Sequence, residues 1–171
     1  MLSNIETLVA DKNNWLASQV DVEFPTPESI AGRALYLELQ SHIQYTQSPR
    51  NTFTESGLVD EVIEVDFHRL TILFSVLQAS SLTENTEQQG LLIEFLTQII
   101  LDSEYQLYLG FKGTEPVAAL MCRYIQGDKT MLFSDVMTKY EQKNSAFISD
   151  VLKHIETSSS QLEHVIYPIF A

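Results

Sequence analysis

The spacing of apolar residues changes near residue 104, and this change constrains the fold more than any other feature of the chain. Before it, apolar residues recur every three or four positions, which is the spacing of amphipathic helices. After it, alternate residues are apolar, as in a strand: Tyr105, Leu107, Leu109 and Phe111. The sequence therefore predicts an α+β fold in which a helical N-terminal half (residues 1–102) packs on a small, mostly antiparallel sheet with one C-terminal crossover helix (residues 103–171).

The first hundred residues carry four predicted helical regions. The first begins near Ile5. The second follows a Phe-Pro-Thr-Pro run in which Thr26 is a capping residue and Pro27 suits the first helical position. The third spans residues 55–79, either unbroken or in two pieces around Asp66, and the fourth spans 84–101. Residues 67–77 also have the composition of a buried strand, but their length and the absence of turn residues favour a helix.

The second half predicts about four strands. A turn at Lys112-Gly-Thr-Glu-Pro separates the first strand from residues 116–125, which are apolar on both faces, as in a central strand. A third strand covers 130–137, and an amphipathic helix follows. The last strand, residues 164–170, contains Pro168, which predicts a sheet edge or a strand end.

Composition limits the classes of function. The 171 residues can form one domain, and the formal net charge of −13 disfavours binding to nucleic acid and to anionic membrane surfaces. Cys122 is the single cysteine, so no intrachain disulfide is expected. No secretory signal and no apolar run of membrane-spanning length is recognised, and we expect a cytoplasmic protein.

Three short runs carry a resemblance to a known family. They are the turn Gly113-Thr-Glu-Pro-Val, the strand Leu132-Phe-Ser-Asp-Val, and the helix start Tyr140-Glu-Gln-Lys-Asn-Ser-Ala. Together they make residues 104–171 resemble the central part of the GNAT-type acyltransferases. In that family the strand binds the pantetheine of acetyl-CoA, and the amides at the helix start bind the pyrophosphate.

The resemblance implies that the chain binds acetyl-CoA or CoA and is a divergent acyl-CoA-dependent N-acyltransferase with weak or lost activity. The residues implied in cofactor binding are the backbone of Asp135, Val136 and Met137 for pantetheine, and Lys143, Asn144, Ser145 and Ala146 for the diphosphate. Two positions depart from the family pattern, because Glu141 replaces an Arg or Gln and Asn144 replaces a Gly. No catalytic residue is assigned.

A metal site is the weaker of two interpretations of the acidic residues near position 64. If residues 55–79 were helical, Glu61, Glu64 and His68 would share one face. The Glu-x-x-His spacing of di-metal bundles is absent, however, and a solvated acidic face explains the pattern better. We therefore expect no metal.

A second function class is a non-catalytic, self-associating interaction module. The apolar residues 164–171 form a strand that a second copy of the chain could extend or cover, giving a homodimer through the C-terminal strand.

Overall fold

A computed structural model describes residues 4–156 and 162–170 of the chain. Its α-helices are α1 (Ile5–Ala17), α2 (Pro27–Gln40), α3 (His68–Leu82), α4 (Thr86–Leu96) and α5 (Asn144–Ile155). Its strands are β1 (Tyr45–Pro49), β2 (Glu61–Glu64), β3 (Gln106–Lys112), β4 (Glu115–Ile125), β5 (Thr130–Thr138) and β6 (His164–Pro168). The α+β class predicted from the change in spacing is confirmed.

The strands form one mixed sheet in the order β1-β6-β5-β4-β3-β2. Four neighbouring pairs are antiparallel, and only β5 and β6 run parallel. Parallel neighbours need a crossover connection, and α5 supplies it. The sheet is therefore mostly antiparallel, as predicted, with α5 as its crossover helix.

The two faces of the sheet bury different clusters of apolar side chains. Leu107, Ala119 and Met121 point toward the side covered by the N-terminal helices, where they pack with residues such as Phe74 and Phe95. Their neighbours on β4, Leu120 and Cys122, point the other way and pack in one cluster with Phe147 and Val151 of α5. Period-two alternation in the strands thus produces a sheet held between two helical layers.

Local capping explains where the N-terminal helices begin. Thr26 Oγ1 accepts a hydrogen bond from Ser29 N at 3.1 Å, and Pro27 occupies the first helical position, as the sequence predicted. At α4 the Asn85 side chain accepts from Gln88 N at 3.0 Å. These contacts satisfy amides that lack a partner within the helix.

The prediction of a helix over residues 55–79 is wrong for its first half. Residues 61–64 form β2, which pairs with β3 at the edge of the sheet, and α3 begins only at His68. β1, also an edge strand, was not predicted, so the described part of the chain contains six strands rather than about four. Short edge strands with solvated faces lack the apolar alternation that reveals a strand in a sequence.

The proposed helical face of Glu61, Glu64 and His68 does not exist, because the two glutamates lie on β2 and His68 begins α3. Across the described ranges, no group of three or more His, Cys, Asp or Glu side chains is arranged to hold a metal ion.

The C-terminal strand lies inside the sheet. β6 pairs with β1 on one side and β5 on the other, and Pro168 is its last residue, which confirms the strand end rather than the sheet edge. Among residues 4–156 and 162–170, no helix is both long enough and apolar enough to cross a bilayer.

Candidate functional site

The two parallel strands separate after a short contact. Pairing between β5 and β6 covers only residues 130–132 and 164–166, although β5 continues to Thr138. Beside this separation lies a cavity of about 240 Å³, which we call the β5–β6 cleft. Its walls come from the ends of α2 and α3, from β5, from the start of α5 and from the C-terminal residues: Gln40, Ile43, Gln78, Ser81, Leu82, Asp135, Val136, Asn144, Pro168, Ile169 and Phe170.

A β-bulge shapes one wall of the cleft. Ala119 pairs with Met137 and Met121 pairs with Ser134, so two residues of β5 face the single residue between them on β4. The first of the two bulged residues, Asp135, has a φ of +53°, in the left-handed region. A non-glycine residue in this region costs about 1–2 kcal/mol, so its side chain must be held by compensating contacts.

The strand register decides which backbone groups face the cleft. Lys139 N donates to Val117 O at 2.9 Å, so Lys139 directs its backbone toward β4. Alternation then directs Met137 toward β4 as well, and Val136 and Thr138 toward the side of β6. The carbonyl of Asp135 accepts a hydrogen bond from Gln78 Nε2. Of the three residues predicted to pair with pantetheine, Val136 is therefore the one whose backbone faces away from β4.

A buried polar cluster holds the bulge in place. Lys12 of α1 is 0% exposed, and its Nζ lies 3.1 Å from Asp135 Oδ2, on a side chain that is 3% exposed. Lys12 Nζ also donates to Tyr36 Oη at 2.7 Å and to Gln40 Oε1 at 3.2 Å. Tyr36 Oη in turn donates to Asp135 Oδ1 at 2.6 Å. We call these four residues the Lys12 cluster; it joins α1 and α2 to β5.

Burial is the main cause of the pKa shifts of Lys12 and Tyr36. Loss of solvent lowers the pKa of Lys12, and the nearby Asp135 carboxylate opposes that shift. Burial also raises the pKa of Tyr36, and the negative charge of Asp135 raises it further. The pKa of Tyr45 is raised by the same two causes, although within the described chain its hydroxyl has no hydrogen-bond partner.

Tyr36 and Tyr45 provide a matched pair of variants. We expect Tyr36→Phe to lower the free energy of unfolding by about 1–3 kcal/mol, because Lys12 and Asp135 lose a buried partner. We expect Tyr45→Phe to cost at most about 0.5 kcal/mol or to stabilise the fold, since it removes an unpartnered hydroxyl. Urea unfolding at pH 7 measures both values, and a larger loss for Tyr45→Phe would contradict the assigned contacts.

Tyr36 and Tyr45 also make the stability of the fold depend on pH in the alkaline range. Both tyrosines have raised folded-state pKa values, so their contribution to stability is complete below the unfolded pKa of about 10 and is lost as pH rises above it. Each Phe variant should therefore lose less stability than the parent between pH 9 and about pH 11. Urea unfolding across this interval checks the prediction, and an unchanged slope in both variants would oppose it.

The N-terminus of α5 opens next to the cleft. Lys143, at the cap position, makes no capping hydrogen bond with its side chain. Asn144 lines the cleft, and a second cavity of about 230 Å³ is lined by Gln142, Asn144, Ser145 and Phe170. Uncapped first-turn amides and the helix dipole favour an anion at this position.

The remaining predicted residues at this helix start differ in position. The Ser145 side chain is exposed, whereas Ala146 is buried with 2% exposure, so Ala146 can contribute only its backbone. Lys143 Nζ pairs with Glu55 Oε1 at 2.9 Å, which neutralises part of its charge. Glu141 is exposed in the turn that precedes α5.

The Lys12 cluster was not predicted from the sequence, although one signal was present. Lys12 falls between Leu8 and Leu16 at spacings of four, on the face of α1 that becomes buried. A lysine on the apolar face of an amphipathic helix either pairs with a buried partner or extends its long side chain until the ammonium group reaches solvent.

Comparisons with known proteins identify a similar fold. No protein-family model and no curated protein matches the chain. The crystal structure of a functionally unknown conserved protein from Staphylococcus epidermidis ATCC 12228 is similar, with a TM-score of 0.52 and 11% sequence identity. The match covers 80% of this chain and 56% of that chain, so this chain spans just over half the length of that protein. At this identity the similarity concerns the fold alone.

Proposed function

We propose that the protein binds CoA or an acyl-CoA thioester in the β5–β6 cleft, as a divergent GNAT-like protein with weak or lost acyltransferase activity. The observation that carries this proposal is the convergence of three features on one cavity. They are the separation of the parallel strands, the bulge at Asp135 and Val136, and the uncapped start of α5.

The chemistry of the cleft suits the two ends of the cofactor. Pantetheine carries amide groups along a flexible chain, and the backbone of Val136 and Thr138 can pair with them as an added strand does. The diphosphate needs hydrogen-bond donors and a positive potential, which the amides of Asn144, Ser145 and Ala146 provide together with the dipole of α5. Val136 and Asn144 line the β5–β6 cleft, and Asn144 and Ser145 line the second cavity beside it.

The same geometry supports weak or lost catalysis. Among the described residues that line the cleft, Asp135 is the only one with a titratable side chain. Its carboxylate is held by Lys12 and Tyr36, so it is not free to accept a proton from an acceptor. A general base needs direct access to the proton that it removes. Binding without rapid acyl transfer follows from this arrangement.

A carboxylate placed at the start of α5 tests the diphosphate position. We expect Ser145→Glu to weaken CoA binding by about tenfold, because the new charge repels the phosphates. Ser145 is exposed, so the substitution should leave the fold intact. The matched control is Thr86→Glu, which adds the same charge to the exposed first turn of α4. Calorimetric titration measures both affinities, and equal weakening by the two variants would contradict the site.

Glu141 provides the opposite test. It is exposed just before α5, where the GNAT-type family has Arg or Gln. We expect Glu141→Arg to strengthen CoA binding by about tenfold through removal of a repulsive charge and addition of an attractive one. An unchanged affinity in this variant would count against the proposed orientation of the cofactor.

A self-associating, non-catalytic module is the alternative proposal. Since β6 pairs on both sides, a second copy would have to add its strand at β1 or β2, or cover apolar side chains on the surface. Phe24 is 85% exposed and lies just before α2, which supports a covered surface. Sedimentation equilibrium tests this proposal, and a monomer mass at all concentrations would contradict it.

A further inference from the structure

β1 is an edge strand, and two hydrogen bonds at its ends show which of its backbone groups face outward. Gln44 O accepts from Ile169 N at 2.7 Å, and Arg50 N donates to Glu163 O at 2.8 Å. Both bonds continue the antiparallel register of β1 with β6. Because the direction of the backbone groups alternates along a strand, the even-numbered residues of β1 bond to β6 and the odd-numbered residues face the open edge.

The open edge of β1 carries both donors and acceptors. Tyr45 and Gln47 each present an N–H and a C=O there, whereas Pro49 presents only a C=O. In the described part of the chain, β6 is the only strand beside β1, and no helix or loop backbone bonds to these outward groups. Backbone groups of this kind can pair with an added strand.

The open edge of β1 also lacks charge, which matters in a protein with a net charge of −13. Residues 39–49 include no Asp, Glu, Lys or Arg. The opposite edge strand, β2, begins with Glu61 and ends with Glu64. Charged side chains on an edge oppose pairing with another strand. Two copies of the chain can therefore pair at β1 without like charges on the pairing strands, but not at β2.

We propose that β1 pairs with β1 of a second copy of this chain, antiparallel about a two-fold axis at Gln47. Gln47 N–H of each copy then donates to Gln47 C=O of the other copy, and Tyr45 N–H donates to Pro49 C=O. This register is self-complementary, because every outward N–H of β1 receives an acceptor and Pro49 is not required to donate. The two six-stranded sheets become continuous across the interface.

The pairing names the surface for the self-association that is the alternative function above. It is independent of CoA binding, since no residue of β1 lines the β5–β6 cleft. A monomer mass at all concentrations would contradict both the alternative function and this pairing. Association through another surface would contradict the pairing alone.

Amide hydrogen exchange of the full chain, followed by NMR at low and high protein concentration, tests the register. The amides of Thr46 and Ser48 bond to β6 and should exchange slowly at both concentrations. Those of Tyr45 and Gln47 should slow by at least about tenfold where sedimentation equilibrium shows dimers. Dimers in which these two amides still exchange rapidly, or a monomer at up to about 1 mM chain, would overturn the proposal.

Two charge variants of Gln47 separate strand pairing from general association. The two-fold axis places the two Gln47 side chains next to each other. Gln47→Glu and Gln47→Lys should each weaken dimerisation by at least about tenfold, because each brings like charges together. General association of an acidic protein would instead be strengthened by an added lysine.

Mixing the two variants provides the matched control. An equimolar mixture of Gln47→Glu and Gln47→Lys should recover dimers, because the heterodimer places opposite charges next to each other. Recovery also shows that both variants are folded. Stronger association of Gln47→Lys alone, or no recovery in the mixture, would reject the proposed pairing.

Discussion

Replacing Lys12 by methionine is expected to lower the free energy of unfolding by about 3–5 kcal/mol. Methionine fills a similar apolar volume, so the loss comes from the partners rather than from a void. Asp135 would keep a buried carboxylate with no counter-charge, and Gln40 would lose its hydrogen bond. The left-handed bulge at Asp135 would lose the contact that holds it. Urea unfolding measures the change.

Two further variants make this prediction specific. Lys129→Met removes an exposed pair with Glu163, where the side chains are 48% and 57% exposed, and should cost at most about 1 kcal/mol. Combining Lys12→Met with Asp135→Asn should restore part of the stability, because no buried charge then remains unpaired. If Lys12→Met lowered the free energy of unfolding no more than Lys129→Met, the stabilising role of the Lys12 cluster would be contradicted.

Gly32→Ala is expected to destabilise the protein by about 3 kcal/mol, because α2 and α4 approach each other closely at this glycine. A Cβ at position 32 would lie 2.0 Å from Leu91 O and 2.8 Å from Phe95 Cβ. Neither neighbour can move easily, since one is helix backbone and the other begins a buried side chain. The helices would have to separate, which also disturbs the Lys12 cluster through Tyr36 on α2.

Gly90→Ala is the matched control on the facing helix. A Cβ at Gly90 would meet nothing within 4 Å, so the substitution should stabilise α4 by about 0.5–1 kcal/mol through its helix propensity. Both variants replace a glycine by alanine, but the expected changes in the free energy of unfolding have opposite signs. Thermal unfolding of both distinguishes close helix packing from propensity, and a stabilised Gly32→Ala protein would contradict the packing described.

The elements predicted correctly from sequence are those with strong periodic patterns. β3, β4 and β5 alternate or run apolar on both faces, and α5 has one apolar face, so their existence and order were predictable. β1 and β2 were missed because their pairing partners lie far away in the sequence and their own side chains are mostly polar. Long-range pairing leaves little trace in a short edge strand.

The residues of the candidate site were likewise predicted only in part. The resemblance directed attention to Val136 and Asn144, and both line the β5–β6 cleft. Met137 was named beside them, but it pairs regularly with Ala119 just after the bulge, and its backbone faces β4. A bulge changes which residues face which neighbour, and its position depends on contacts from other elements, such as Lys12 and Gln78. A single sequence does not reveal such contacts.

Calorimetric titration of the chain with CoA and with acetyl-CoA at low salt tests whether the β5–β6 cleft binds the cofactor. We expect saturable one-to-one binding with a dissociation constant in the micromolar range, about −8 kcal/mol. Absence of binding at millimolar cofactor would contradict it, and the β5–β6 cleft would then have no role as a CoA site.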